Sequence, residues 1–97
     1  MPWGWGVFGG QRQLIGIARI FVSDPKIVLM DEPTAALDQE TEKRVISVLK
    51  RWSTEKTLII STHKRALLEL ADRLLVLKEG QLVMDTPAHQ VARPKAA

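Results

Sequence analysis

The chain has 97 residues, 45% of them apolar and 26% charged, the length and balance of one ordinary globular domain with one modest core; disorder would need fewer apolar residues and more net charge. Fourteen Lys and Arg against eleven Asp and Glu leave a net charge of +3, scattered rather than clustered, which argues against a nucleic-acid footprint. The lack of cysteine excludes disulfides and thiolate sites, no apolar run reaches the ~18 residues of a membrane span, and the first eleven residues carry no Lys or Arg, unlike a secretory signal.

Taken in chain order, residues 1–10 are rich in Gly and Trp and read as loop. Residues 11–22 place Leu14, Ile15, Ile17, Ala18, Ile20, Phe21 and Val22 on a helix with little polar face, so that helix is expected to be largely buried. Ser23-Asp24-Pro25 ends it, because the residue before proline is pushed out of the α region. KIVLMD, residues 26–31, reads as a buried parallel strand, and EPTAALD as the loop after it. Asp38 is placed to cap a helix over residues 39–53, with Val45, Ile46, Leu49 and Trp52 as its apolar stripe and Glu40 and Glu42 suited to its amino end. TLIIST, residues 57–62, is a second buried strand, and residues 64–71 a short helix. Residues 74–77 and 81–84 are two further strands joined by a Glu79-Gly80 turn, a link short enough to require a hairpin. A short helix follows Pro87, and residues 1–5 and 93–97 are expected to be loose. Strands alternating with helices make this an α/β fold with parallel strands.

The amino-terminal stretch GWGVFG has the G-x-G-x-x-G spacing of a dinucleotide-binding turn. That turn needs a strand before its first glycine and an acid about twenty residues on, at the end of a second strand. Only Met1, Pro2 and Trp3 precede Gly4, and no strand fits there. What survives is the end of the stretch. Gly9, Gly10 and Gln11 stand at the start of the first helix, where free N–H groups and the helix dipole favour an anion.

IVLMDE ends an apolar strand in Asp31 and Glu32, at the edge where open α/β sheets bind ligands. One acid there is able to hold a magnesium ion that clamps phosphates, and its neighbour to orient and activate a water. The plainer alternative is an acidic pair that caps nearby helices. His63 follows TLIIST and would share that edge if the strands are adjacent and parallel. Its imidazole would donate to a phosphate oxygen or to the attacking water, or else be an ordinary surface histidine. Neither histidine has an acidic cluster at ligand spacing, which argues against a transition-metal site.

Together these residues resemble the ATP-binding-cassette (ABC) ATPases. GGQRQLIGIAR looks like the signature motif and its helix, IVLMDE like the Walker B strand with its catalytic glutamate, AALD like the D-loop, and STH like the switch histidine. ADRLLVLKEGQLVMDTP is similar to the closing hairpin of transporter cassettes, and the whole is most like type I secretion exporters. The resemblance covers roughly residues 6–92. It implies a partial P-loop NTPase fold, with parallel strands, flanking helices, a carboxy-terminal β-hairpin and the P-loop strand missing. The implied activity is ATP hydrolysis that powers export, with ATP and Mg2+ bound. Asp31 would bind the magnesium through water, Glu32 would polarise the hydrolytic water, and His63 would contact the γ-phosphate. Asp38 would couple two ATP sites across a dimer, and Gly9, Gly10 and Gln11 would close over the ATP of the opposite subunit. The implied partners are a transmembrane domain and a second ATP-binding domain. The location would be the cytoplasm, or the cytoplasmic face of the inner membrane through that partner.

The chain departs from the family in two ways. No G-x-x-x-x-G-K-[ST] occurs in it, so it reads as the carboxy-terminal part of a nucleotide-binding domain, inactive by itself, with apolar sheet edges left uncovered. The signature also has Phe8 where the family expects serine, which removes a hydroxyl bond to phosphate of about 1.5–3 kcal/mol, and Ala35 stands where the D-loop often has serine. Two other readings stand beside the first. One is a non-enzymatic remnant or interaction module that pairs with an intact cassette. The other is an ABC-type ATPase of DNA repair or chromosome organisation, which the hairpin and the scattered charge disfavour.

Overall fold

The computed structural model describes residues 9–92; the expectations for Gly4–Gly6 spacing, Phe8 and residues 93–97 lie outside the described residues. The length argues for one core, but the chain divides into two compact units, Met1–His63 and Lys64–Ala97.

The first unit runs α1 (Gly9–Ser23), β1 (Ile27–Asp31), α2 (Gln39–Trp52), a 3-10 turn (Ser53–Glu55) and β2 (Thr57–Ser61). Helix α1 stops where Asp24 turns to a φ of 47°, the left-handed geometry that ends many helices and that Asp tolerates better than most residues. Strands β1 and β2 are parallel, in register from Ile27↔Thr57 to Asp31↔Ser61. The N–H of Thr57 bonds Lys26 O at 2.9 Å and that of Glu32 bonds Ser61 O at 2.8 Å, so pairing continues one residue beyond each end of β1. Parallel neighbours need a crossover rather than a turn, and α2 supplies it.

Helix α2 begins at Asp38, whose side chain accepts from the Thr41 N–H. It buries Glu42, Val45, Ile46 and Leu49, the i, i+3, i+4, i+7 stripe of a helix lying on a core. Leu49 is fully buried. Strand β1 contributes Val28 and Met30 to this core and α1 contributes Ile17. At the amino-terminal end of the strands, Phe21 meets Trp52 with ring centroids 4.9 Å apart. Lys56 Nζ sits 4.5 Å from the centroid of a Trp52 ring and 2.6 Å from Asp24 Oδ1.

Burial departs from the sequence expectation in two places. Helix α1 buries only Ile17 among its described residues, and Ile15 and Val22 are 51% and 87% exposed. Strand β1 buries one face and not both, and β2 half-buries only its matching face. Ile27, Leu29 and Ile59, which share the other face by register, are 64%, 73% and 52% exposed. A continuous apolar run marks a strand meant to be covered on both sides. Among the described residues of this unit, only one side of the two-stranded sheet is covered.

The second unit opens with a 3-10 stretch (Arg65–Leu70) where a short α-helix is expected, followed by β3 (Arg73–Lys78), β4 (Gln81–Pro87) and α3 (His89–Ala92). Strands β3 and β4 pair antiparallel as a sheet of their own. Their turn is Glu79-Gly80, with φ of 52° and 77°. Positive φ at both central residues is the type I′ geometry whose twist matches a two-residue hairpin. Val76 pairs with Met84 but Leu77 with Leu82, so Val83 is the extra residue of a bulge. Leu67 and Ala88 are buried, and the Ala88 N–H bonds Asp72 O at 3.0 Å. Arg73 grips Asp85 with two bonds of 2.7 and 2.6 Å. These bonds hold the Asp85 carboxyl below its ordinary range and raise the Arg73 guanidinium.

Candidate functional site

The parallel register puts Asp31 beside Ser61 at the carboxyl ends of β1 and β2, and the chain next to each continues to Glu32 and His63. The predicted edge is therefore assembled within the first unit. Ser61 Oγ donates to Asp31 Oδ1, which fixes the carboxylate. Glu32 Oε1 accepts the backbone N–H of His63 at 2.7 Å. One oxygen of each acid is thus committed to holding the edge together.

Glu32 itself has a φ of 46°. A non-glycine residue in the left-handed region costs about 1–2 kcal/mol, and such strain is found where surrounding contacts over-determine the backbone. The contacts here are visible. The Glu32 N–H is tied to Ser61 O, and the Glu32 carbonyl accepts the Ala35 N–H at 3.3 Å and Gln13 Nε2 at 3.0 Å. The Gln13 side-chain oxygen in turn accepts the Ala36 N–H at 2.8 Å. Further along the same loop, Thr34 is fully buried, and its hydroxyl donates to Glu42 Oε2 at 2.6 Å.

The loop runs back against the first turn of α1. A Cβ on Gly10 would lie 2.8 Å from the Ala36 carbonyl oxygen, whereas one on Gly9 would make ordinary contact at 3.5 Å with the Ala36 Cβ. Gly10 is therefore required by the chain's own backbone, whatever ligand its N–H also serves. Gln11 is exposed on the same turn. Asp38 ends the loop with both carboxylate oxygens on Thr41, one taking its N–H at 3.1 Å and the other its hydroxyl at 2.6 Å. The hydroxyl bond is the larger cause of a carboxyl held below its ordinary range. In this state Asp38 works as a helix cap.

The structure thus brings Asp31, Glu32 and His63 to one edge, and joins the Glu32–Asp38 loop to the turn that carries Gly9, Gly10 and Gln11. Sequence reasoning did not single out Gln13, Ser61 or Thr34, and assigned Glu42 only to the helix dipole. The available signal was polarity beside the named motifs, with no partner specified.

Among the described residues, no three His, Asp or Glu side chains gather as metal ligands. A single carboxylate beside a hydroxyl suits a cation that keeps most of its water, as magnesium does, better than one that needs a protein cage. Also among the described residues, no helix is long and apolar enough to cross a membrane.

Comparison with known proteins matches residues 7–35 to the ABC transporter family model. The leukotoxin translocation ATP-binding protein LktB of Mannheimia haemolytica is 38% identical over 88 residues, 91% of this chain; the same protein of Bibersteinia trehalosi matches equally. The chain spans 12% of the length of these curated relatives. Among solved structures, the ATP-binding cassette MJ0796 in a dimeric post-hydrolysis state with ADP and Pi has a TM-score of 0.79 at 32% identity, over 84% of this chain and 36% of its own. A bacterial Atm1-family ABC exporter with ATP bound has a TM-score of 0.78 at 33% identity, over 88% of this chain and 15% of its own.

Proposed function

We propose that this chain, part of an ABC transporter ATP-binding domain, is of exporter type and supplies the water-activating edge and the signature turn of an ATP-hydrolysing site, with the phosphate cradle supplied by other sequence. The observation that carries this reading is the Glu32 carboxylate pinned by the His63 N–H at the joined ends of β1 and β2.

Asp31 would hold a magnesium ion through water, and the ion when bound would neutralise charge on the β- and γ-phosphates. Glu32, fixed through Oε1, presents Oε2 to the attacking water and takes up its proton as general base. His63 presents its imidazole to a γ-phosphate oxygen. Gly9, Gly10 and Gln11 present helix N–H groups to the phosphate held by a second domain, and Asp38 would couple the two ATP sites. The dimeric state of the MJ0796 cassette supports a composite site of this kind. The further partner would be a transmembrane domain, the reaction export, and the location the cytoplasmic side of a membrane. The 97 residues contain no G-x-x-x-x-G-K-[ST], so the chain alone is expected not to turn over ATP.

The test is phosphate release from MgATP by the purified chain and by a chimera in which residues 9–92 replace their counterpart in an intact cassette. The chain alone should be inactive. The chimera should be active and lose roughly 10²-fold or more with Glu32→Gln. Turnover by the chain alone, or a nucleotide-binding chimera indifferent to Glu32→Gln, would overturn the assignment. The exposed Ile27, Leu29 and Ile59 favour a second reading, a non-enzymatic module that pairs with an intact cassette. Saturable binding to that cassette with no change in its turnover would select it.

A further inference from the structure

Gln13 is engaged at both ends of its amide, and both partners belong to the loop that carries Glu32. Its Nε2 donates to the Glu32 carbonyl at 3.0 Å and its oxygen accepts the Ala36 N–H at 2.8 Å. A carbonyl accepts and an N–H donates, so the chemistry of the two partners fixes which way the amide points. Only a neutral amide satisfies both: a carboxylate of the same shape would set an acceptor against the Glu32 carbonyl. One turn earlier on α1, Gly10 is the residue whose Cβ would strike the Ala36 carbonyl. Helix α1 therefore lies against the loop at Ala36 through its Gly9–Gly10 turn and bonds both Ala36 and Glu32 through Gln13.

The chain from Glu32 leads directly to the functional edge. Its backbone is held at a φ of 46°, and its carboxylate is held by the His63 N–H. Rotation of the Glu32 backbone out of that strained conformation would swing the carboxylate away from His63. Gln13 bonds the carbonyl of that same residue.

We propose that Gln13 is a positioning residue: it carries displacement of the first turn of α1 to the Glu32 carboxylate, so that occupancy of the Gly9–Gln11 turn is reported to the water-activating edge. The role of that edge rests on the function proposed above, but the coupling is a property of the chain itself and is measured without nucleotide. Gln13 touches neither water nor phosphate in this scheme and acts through Glu32.

The experiment is an amide NMR comparison of four chains: the natural sequence, Gly10→Ala, Gln13→Glu, and the double variant. Thermal melts of each confirm folding. Gly10→Ala pushes the loop at Ala36, and the expected result is a shift of the His63 amide resonance along with that of Ala36. In the Gln13→Glu background the same Gly10→Ala step should still move Ala36 but lose its effect at His63. A His63 response of equal size in both backgrounds, or none in either, overturns the proposal. Should Gly10→Ala fail to fold, Gln13→Glu alone decides. It keeps the acceptor for Ala36 and removes the donor to Glu32, so an unmoved His63 resonance overturns the coupling and a moved one supports it. None of these outcomes depends on ATP turnover, so failure here leaves the ATPase assignment to its own test.

Discussion

Replacing Thr34 with valine is the sharpest probe of what holds the Glu32–Asp38 loop in place. Thr34 is fully buried and Glu42 is 7% exposed, and the hydroxyl donates to the carboxylate at 2.6 Å. A hydrogen bond to a charged group contributes about 1.5–3 kcal/mol, and removing one partner leaves the other poorer by most of that. Valine returns part of it, because an extra buried methyl contributes up to about 0.8 kcal/mol. The net expectation is a loss of roughly 1–2 kcal/mol. That is a large share of the ~5–15 kcal/mol that keeps a domain folded, and in urea, at a slope of about 1–2 kcal/mol/M, it lowers the midpoint by roughly 1 M. Urea titration followed by circular dichroism measures it. A double-mutant cycle with Glu42→Gln separates the pair from the packing. A coupling between Thr34 and Glu42 below about 0.5 kcal/mol, at the floor for contacting residues, would refute the claim that this bond anchors the loop on α2.

Other outcomes follow from neighbouring parts of the structure. Leu49→Ala empties a fully buried position and should cost about 2–5 kcal/mol, which lowers the urea midpoint by more than about 1 M in the same titration. The Asp38 carboxyl is held below its ordinary range by the hydroxyl and N–H of Thr41. A depressed folded-state pKa gives stability that is present above the unfolded value and lost as pH falls through the folded one. The gap in urea midpoint between the natural chain and Asp38→Ala should therefore be constant near neutrality and close below about pH 4. The exposed face of Ile27, Leu29 and Ile59 is of the kind that drives association. Leu29→Lys should reduce concentration-dependent self-association in sedimentation velocity, and a natural chain that is monomeric at every concentration would refute this.

Periodicity carried the elements well, and for a physical reason. The stripe on α2 is read as Val45, Ile46, Leu49 and Trp52; the first three are buried in the structure and Trp52 is half-buried. The Asp38 cap and the Glu79-Gly80 turn are local chemistry, decided within a few residues, and both are present as read. Hydrophobicity alone misjudged α1 and the strands, because it records what a segment is able to bury and not whether anything covers it. Val22 is 87% exposed in a helix whose composition reads as interior. The 3-10 form of Arg65–Leu70 was also out of reach, since three leucines in six residues fit either winding.

The candidate site was legible in its residues and not in its geometry. Asp31, Glu32 and His63 announce themselves by type and by position after two apolar strands. That they meet depends on register, and register depends on pairing across thirty residues of chain that includes all of α2. The bond from the His63 N–H to Glu32 could exist only in this one alignment, because sliding a parallel strand by one residue turns every side chain to the other face. Gly10 makes the same point from the opposite direction. Its presence before a helix reads as room for a phosphate, and the structure shows that the Ala36 carbonyl already requires it. The two readings are compatible, since the close approach is to the position of the missing Cβ. A glycine fixed by the fold is what allows the loop bearing Glu32 to lie against the Gly9–Gln11 turn, and this proximity is what the coupling proposed for Gln13 uses.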